Sequence, residues 1–208
     1  MAANDVNAWN GQIREGLEFI WCEPHFYQPL LASTQGLDFQ VTPVSLNKGE
    51  ADFVKDLQQA VETRLFNDFD VYFLRNQTGQ GSVGVFIDGG FKPDFILWLV
   101  KGNQQKVIFI DPKGLRHHKP EDPKVRFYET IKAVEADLRK TANSSSNIEL
   151  HAFLISETHS SNLISEWKDE DGNPVTRELM ESWNILFREE DERYIEKLVT
   201  HVSAAGQN

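Results

Sequence analysis

The sequence predicts an α/β domain, a central mixed β-sheet flanked by helices on both faces. Three observations predict it. A stripe at helical spacing (Phe53, Leu57, Ala60, Val61, Leu65) precedes a series of strand-like segments, and a second stripe (Phe127, Ile131, Val134, Leu138) follows them. Between the stripes, residues 94–111 are apolar on both alternating faces, which is how a strand pair covered on both sides reads. The chain has 208 residues, 40% apolar and 25% charged, enough for one domain with a sizeable core.

The first stretch, residues 1–45, carries short apolar runs broken by Pro24, Pro29 and Pro43, and reads as an irregular lead-in with short strands packing on the domain. Residues 46–208 form the domain proper, with a helical extension at the C-terminal end. A helix is expected from Lys48 to about Leu65, and strands near Asp70–Arg75, Val83–Ile87, Asp94–Lys101 and Lys106–Asp111. Pro123 to about Arg139 reads as a helix and Ile148–Ile155 as a strand. Helical segments near Asn162–Trp167 and Arg177–Trp183 lead to a short strand, Asn184–Phe187, and a closing helix around Glu190–Val202.

The charge balance excludes some classes. A net charge of −11 argues against a general nucleic-acid coat protein. Yet residues 101–126 hold seven basic side chains against three acidic ones, a net +4, whereas residues 157–197 carry a net −7. A polyanion could approach the first stretch while the rest repels it; both stretches also fit solvated faces. The longest strongly apolar run, Phe95–Val100, is far short of the roughly 20 residues of a membrane helix. With no visible secretory signal and a lone cysteine, Cys22, the expected setting is a reducing cytoplasm, with no membrane partner.

Chemistry concentrates in the hairpin. Taking Gly102-Asn103-Gln104-Gln105 as its connection pairs Lys101 with Lys106, so that Asp94 lies across from Lys113 and Ile96 across from Asp111. Side chains alternate, so Asp94, Asp111 and Lys113 project from one face. Two carboxylates about 4 Å apart repel by roughly 4 kcal/mol at an effective dielectric near 20, which a divalent cation offsets better than one lysine. Mg²⁺ held by one or two carboxylates beside a phosphate is the arrangement of phosphodiester hydrolysis. A structural reading fits the same residues: an Asp94–Lys113 salt bridge at a sheet edge, with Asp111 capping a turn before Pro112. Glu50 opens the inward stripe of the first helix and could join a metal through water. Asn47-x-x-Glu50 is equally a capping box, and the two roles are compatible.

These residues resemble a family signature. Phe91-Lys92-Pro93-Asp94, the hydrophobic strand, and Ile110-Asp111-Pro112-Lys113-Gly114 resemble the PD-(D/E)xK nucleases. Pro43-Val44-Ser45-Leu46-Asn47-Lys48-Gly49-Glu50, with Asn184-Ile185-Leu186-Phe187 before Tyr194-Ile195, is similar to the C-terminal endonuclease domain of type III restriction enzymes and related helicase–nucleases. The resemblance runs from about Glu23 to His201. It implies a restriction-endonuclease-like fold and a Mg²⁺-dependent DNA endonuclease, with Mn²⁺ a substitute, serving restriction or phage defence. Asp94 and Asp111 would be metal ligands, the Pro112 carbonyl a further one, and Glu50 a support through water. Lys113 would position or activate the attacking water. A helicase or translocase motor is implied in the same longer polypeptide or as a separate subunit, since these residues hold no G-x-x-x-x-G-K-[ST] phosphate loop. The alternatives are a non-catalytic DNA-binding or docking module on the same fold, and a small-molecule phosphodiesterase.

Other signals read as structural. Gly79-Gln80-Gly81-Ser82-Val83-Gly84 leads into a strand-like run rather than the helix a dinucleotide site requires. His117-His118 lack spaced metal partners, and with Arg116 and Lys119 they suit a DNA-backbone contact or a solvated loop. His25 reads as structural and Tyr128, one turn from Lys132, as packing. Ser156, Ser160 and Ser161 near His159 lack a nucleophile-elbow pattern.

Overall fold

The computed structural model describes residues 11–14, 17–20, 30–33, 45–76, 92–141 and 147–204. Three short strands, β1 (Gly11–Arg14), β2 (Leu17–Ile20) and β3 (Leu30–Ser33), form an antiparallel sheet in that order. The expected strand at Val83–Ile87, the glycine run at 79–84, His25 and Cys22 lie outside the described residues.

Helix α1 (Lys48–Glu62) starts at a capping box. Asn47 Oδ1 accepts from the Glu50 N–H at 2.9 Å, and Glu50 Oε2 accepts from the Asn47 N–H at 3.2 Å. The helix stops short of Leu65 because Arg64 turns left-handed, with φ +64°. Its buried stripe is Ala51, Phe53, Val54, Leu57 and Ala60.

The main sheet comprises β4 (Asp70–Arg75), β5 (Phe95–Lys101), β6 (Gln104–Lys113), β7 (Ile148–Ser156) and β8 (Ile185–Phe187), side by side in that order. Pairs β4–β5 and β5–β6 are antiparallel, β6–β7 and β7–β8 parallel. Among the described residues, four helices follow β6: α2 (Phe127–Thr141), α3 (Ser160–Glu166), α4 (Arg177–Ser182) and α5 (Tyr194–Ala204). The architecture is therefore mixed α/β.

The expected two-sided burial holds. Phe95, Leu97, Leu99, Ile108 and Ile110 enter one core with α1 and α5, where Phe73 and Phe95 stack at 5.1 Å. Ile96 and Phe109 enter another with Phe127 and Ile131 of α2, and Trp98 and Val107 pack against it. A third core, around Trp167, Met180 and Trp183, anchors Leu115 and Val125 of the β6–α2 connection.

Two expectations need correction. The hairpin turn is two residues, Gly102-Asn103, with Gly102 at φ +58°, so Lys101 pairs with Gln104 rather than with Lys106. The register slips by two residues, preserving every face assignment. The basic stretch is also not one patch. Lys101 lies at the hairpin end, and Lys106 is 4% exposed, its Nζ bonded to Glu149 at 2.8 Å and to the Val202 carbonyl at 2.7 Å.

Candidate functional site

The corrected register sets the site. One step beyond the Phe95–Ile110 pair, Asp94 stands directly across from Asp111, and Lys113 projects two residues farther on the same face. Lys113 is therefore not the partner across from Asp94, as the longer turn had required. Pro112 is buried in β6 beside Ile155 of β7, past the last β5 partner. A strand paired on one side accommodates a residue without an N–H.

Neighbouring elements close in on this end of the sheet. Asn76, just after β4, donates its backbone N–H to the Asp94 carbonyl at 2.7 Å and its side-chain amide to the Pro93 carbonyl at 2.8 Å. These bonds hold the chain entering Asp94. The Glu157 N–H donates to the Lys113 carbonyl, and the Leu115 N–H donates to Thr158 Oγ1, joining the ends of β6 and β7. Glu157 then reaches α1, where a Cβ on Gly49 would fall 1.2 Å from its Oε1 and would turn this exposed side chain aside.

The two aspartates interact strongly. Asp94 is pushed up to about 8 by burial, by a hydrogen bond with Asp111, and by the charges of Asp111 and Glu50. Asp111 is 2% exposed, and its Oδ2 lacks a well-directed hydrogen bond. An ammonium meets that oxygen instead: Lys124 Nζ lies 2.5 Å away. Burial works against the Lys124 charge, but Asp111 outweighs it and the pKa rises. Lys113 moves the other way, lowered by burial and by its hydrogen bond with Lys124. The two ammonium groups are thus pushed in opposite directions, Lys124 up by Asp111 and Lys113 down by burial and by Lys124.

Glu50 serves the cap and more. Its Oε2 also accepts from Arg75 Nη2 at 3.0 Å, and Arg75 bonds the Ser45 carbonyl. Its negative charge raises Asp94, while its Oε2 is committed to Asn47 and Arg75. Among the described residues, no group of three or more His, Cys, Asp or Glu side chains is arranged to hold a metal ion. The carboxylates that come together number two.

Sequence reasoning thus brought Asp94, Asp111, Lys113 and Glu50 to one end of the sheet. It missed Lys124, Arg75, Asn76 and Glu157. Lys124 had been placed inside a helix beginning at Pro123, whereas α2 begins at Phe127 and Lys124 lies in the turn before it.

The remaining candidates stay apart from this cluster. His118 Nδ1 pairs with Asp122 at 3.0 Å, His117 is exposed, and Lys132 bonds Glu135 at 2.9 Å. Tyr128 is half-buried and donates to Glu129 at 2.6 Å. Ser160 and His159 both meet Glu190 and form no triad with each other. No family model, curated protein sequence or solved structure matches the chain. Among the described residues, no helix is long and apolar enough to cross a membrane.

Proposed function

We propose that the chain is a divalent-cation-dependent DNA endonuclease domain of restriction-endonuclease-like fold, the cleavage module of a type III restriction-like or phage-defence helicase–nuclease. The observation that carries this reading is the Asp94–Asp111 pair, two acids close enough to share a hydrogen, with Lys113 beside them. The residues fit Mg²⁺ or Mn²⁺. A buried Asp111 oxygen faces a cation, and Mg²⁺ is commonly held by one or two carboxylates completed by water and phosphate oxygens. Asp94 and Asp111 would hold the ion, with the Pro112 carbonyl beside them and Glu50 linked through water. When bound, the ion supplies Lewis-acid stabilisation of phosphate charge and a more acidic water.

Lys113, whose pKa is lowered by burial and by Lys124, would accept the proton of the attacking water as its neutral amine. The water oxygen bonds to phosphorus, the bond to the leaving deoxyribose oxygen breaks, and that oxygen takes up a proton from solvent water. Asn76 and Arg75 keep Asp94 and Glu50 in place during the exchange. DNA reaches the site with the help of a motor in the same polypeptide or on another subunit.

One observation favours a second reading, a non-catalytic DNA-binding or docking module: the Lys124–Asp111 ion pair already neutralises the buried carboxylate. Plasmid cleavage with Mg²⁺ or Mn²⁺ separates the two. Asp111→Ala and Lys113→Ala should each lower cleavage by at least about 100-fold while melting cooperatively. Undiminished cleavage by both folded variants overturns the nuclease assignment. DNA binding with no cleavage under either metal, with a motor supplied, supports the docking module.

A further inference from the structure

We propose that Lys124 is a phosphate-binding residue held in reserve: its ammonium occupies the cation position on Asp111 and turns to the scissile phosphate when a divalent ion takes that oxygen. The inference rests on the nuclease reading and adds a residue and an order of events to it.

The geometry argues for it in three steps. Lys124 Nζ lies 2.5 Å from Asp111 Oδ2, an oxygen with no well-directed hydrogen bond of its own. An ammonium and a metal ion cannot both occupy that lobe, since like charges at contact repel strongly in a poorly solvated site. Binding of a metal therefore displaces Nζ. The backbone that carries Lys124 does not need to move. Val125 is buried in the third core, the Trp167 indole donates to the His118 carbonyl at 2.9 Å, and the Arg126 guanidinium stacks over Trp183 at 4.7 Å. The displacement is confined to the four-carbon stem, and the lysine side chain is 27% exposed, so it has an outlet toward solvent. A tethered ammonium released beside Lys113 meets a site whose next ligand is a phosphate oxygen. Until then the ion pair keeps the buried carboxylate from standing uncompensated.

Two measurements on the folded chain give changes of opposite sign. Mg²⁺ is titrated into wild type and Lys124→Gln by calorimetry without DNA. Duplex affinity is measured by anisotropy with Ca²⁺ in place of Mg²⁺, across a series of salt concentrations. Lys124→Gln should bind Mg²⁺ about three- to tenfold more tightly, because a competing cation is gone. Its duplex affinity should fall about tenfold, with the salt slope reduced by about one. Lys124→Arg should bind metal as weakly as wild type and keep most DNA affinity. A merely structural lysine would weaken both ligands together or leave both unchanged, and either result overturns the inference. So does tighter metal binding with unaltered DNA affinity. If wild type binds no divalent ion at all, the nuclease reading fails, and this inference with it. If wild type binds metal and cuts DNA while Lys124→Gln shows no opposed change, only this inference fails.

Discussion

Asp94 illustrates how a single side chain records the cost of a site. Its pKa is raised to about 8, first by burial and then by Asp111 and Glu50. The folded chain therefore keeps a proton that the unfolded chain releases above about pH 4, so stability is full below that pH and declines as pH rises toward 8. Asp94→Asn removes this liability and retains a hydrogen-bond donor toward Asp111. In EDTA at pH 8 it should be at least about 1 kcal/mol more stable than wild type, a figure discounted for partial exposure of the carboxyl. Under the proposed function Mg²⁺ should stabilise wild type, more at pH 8 than at pH 6, and the Asn variant should lose that gain. Thermal melts across pH, with and without Mg²⁺, check both, and a destabilised Asn variant at pH 8 would refute them. The co-location of Asp94, Asp111 and Lys113 was legible because it depends only on the parity of the strand, and a two-residue register slip leaves parity intact. Lys124 was not legible, because it comes from a turn with no period, and only tertiary packing of Leu115 and Val125 carries it to Asp111.

At the scale of elements, β6 and β7 carry polar chemistry at both ends, with different consequences. The far end buries Lys106 and His151 beside the half-buried Glu149, with His201 of α5 packed edge-on to the His151 ring at 6.1 Å. Burial and the nearby Lys132 charge lower the His151 pKa to about 4, against the pull of Glu149. A depressed histidine contributes stability above the unfolded value near 6.5 and loses it as pH falls toward 4. Stability should drop between pH 6.5 and 4.5 by no more than about 3 kcal/mol from this group. His201, also lowered by burial and Lys132, acts in the same direction. His151→Gln should flatten that limb of the profile, and an unchanged acid limb in chemical denaturation would refute the assignment. The same strands show which part of the fold a sequence can carry. Alternation revealed both faces of β5 and β6, because a doubly covered pair must be apolar on each. The turn was misread because Gln104 and Gln105 are polar and loop-like, whereas Gly102-Asn103 alone is sufficient for a two-residue hairpin. Lys106 was counted with a basic patch, since composition does not distinguish a solvated lysine from one buried against a carboxylate and a helix-end carbonyl.

For the whole molecule, the proposed nuclease reading raises the question of how a chain of net charge −11 would meet DNA. With Lys101 and Lys106 at the other end of the hairpin, the cationic groups beside the paired aspartates are Lys113 and Lys124, and Arg116, Lys119 and Arg126 follow on the same β6–α2 connection. Arg126 is engaged with Glu129 at 3.1 Å and with the Trp183 ring, which leaves exposed Arg116 and Lys119 as the outer contacts. Acidic residues dominate the stretch that forms α4, β8 and α5, and their field opposes approach from that side. The isolated chain should therefore bind duplex DNA weakly and through few phosphates. The logarithm of its affinity should fall with the logarithm of salt at a slope of about −3, corresponding to roughly three displaced counterions. Arg116→Glu with Lys119→Glu should reduce affinity by about tenfold or more, because two attractive contacts become repulsive ones. Glu192→Lys with Glu196→Lys, on the acidic side, should mainly speed association at low salt and leave the slope nearly unchanged. Anisotropy titrations over a range of salt read all three quantities. A slope steeper than about −6, or indifference to Arg116 and Lys119, would place the DNA on another surface. Weak intrinsic binding of this kind is what a cleavage module requires when a motor sets its local concentration, since a tether at millimolar effective concentration makes strong binding by the module itself unnecessary.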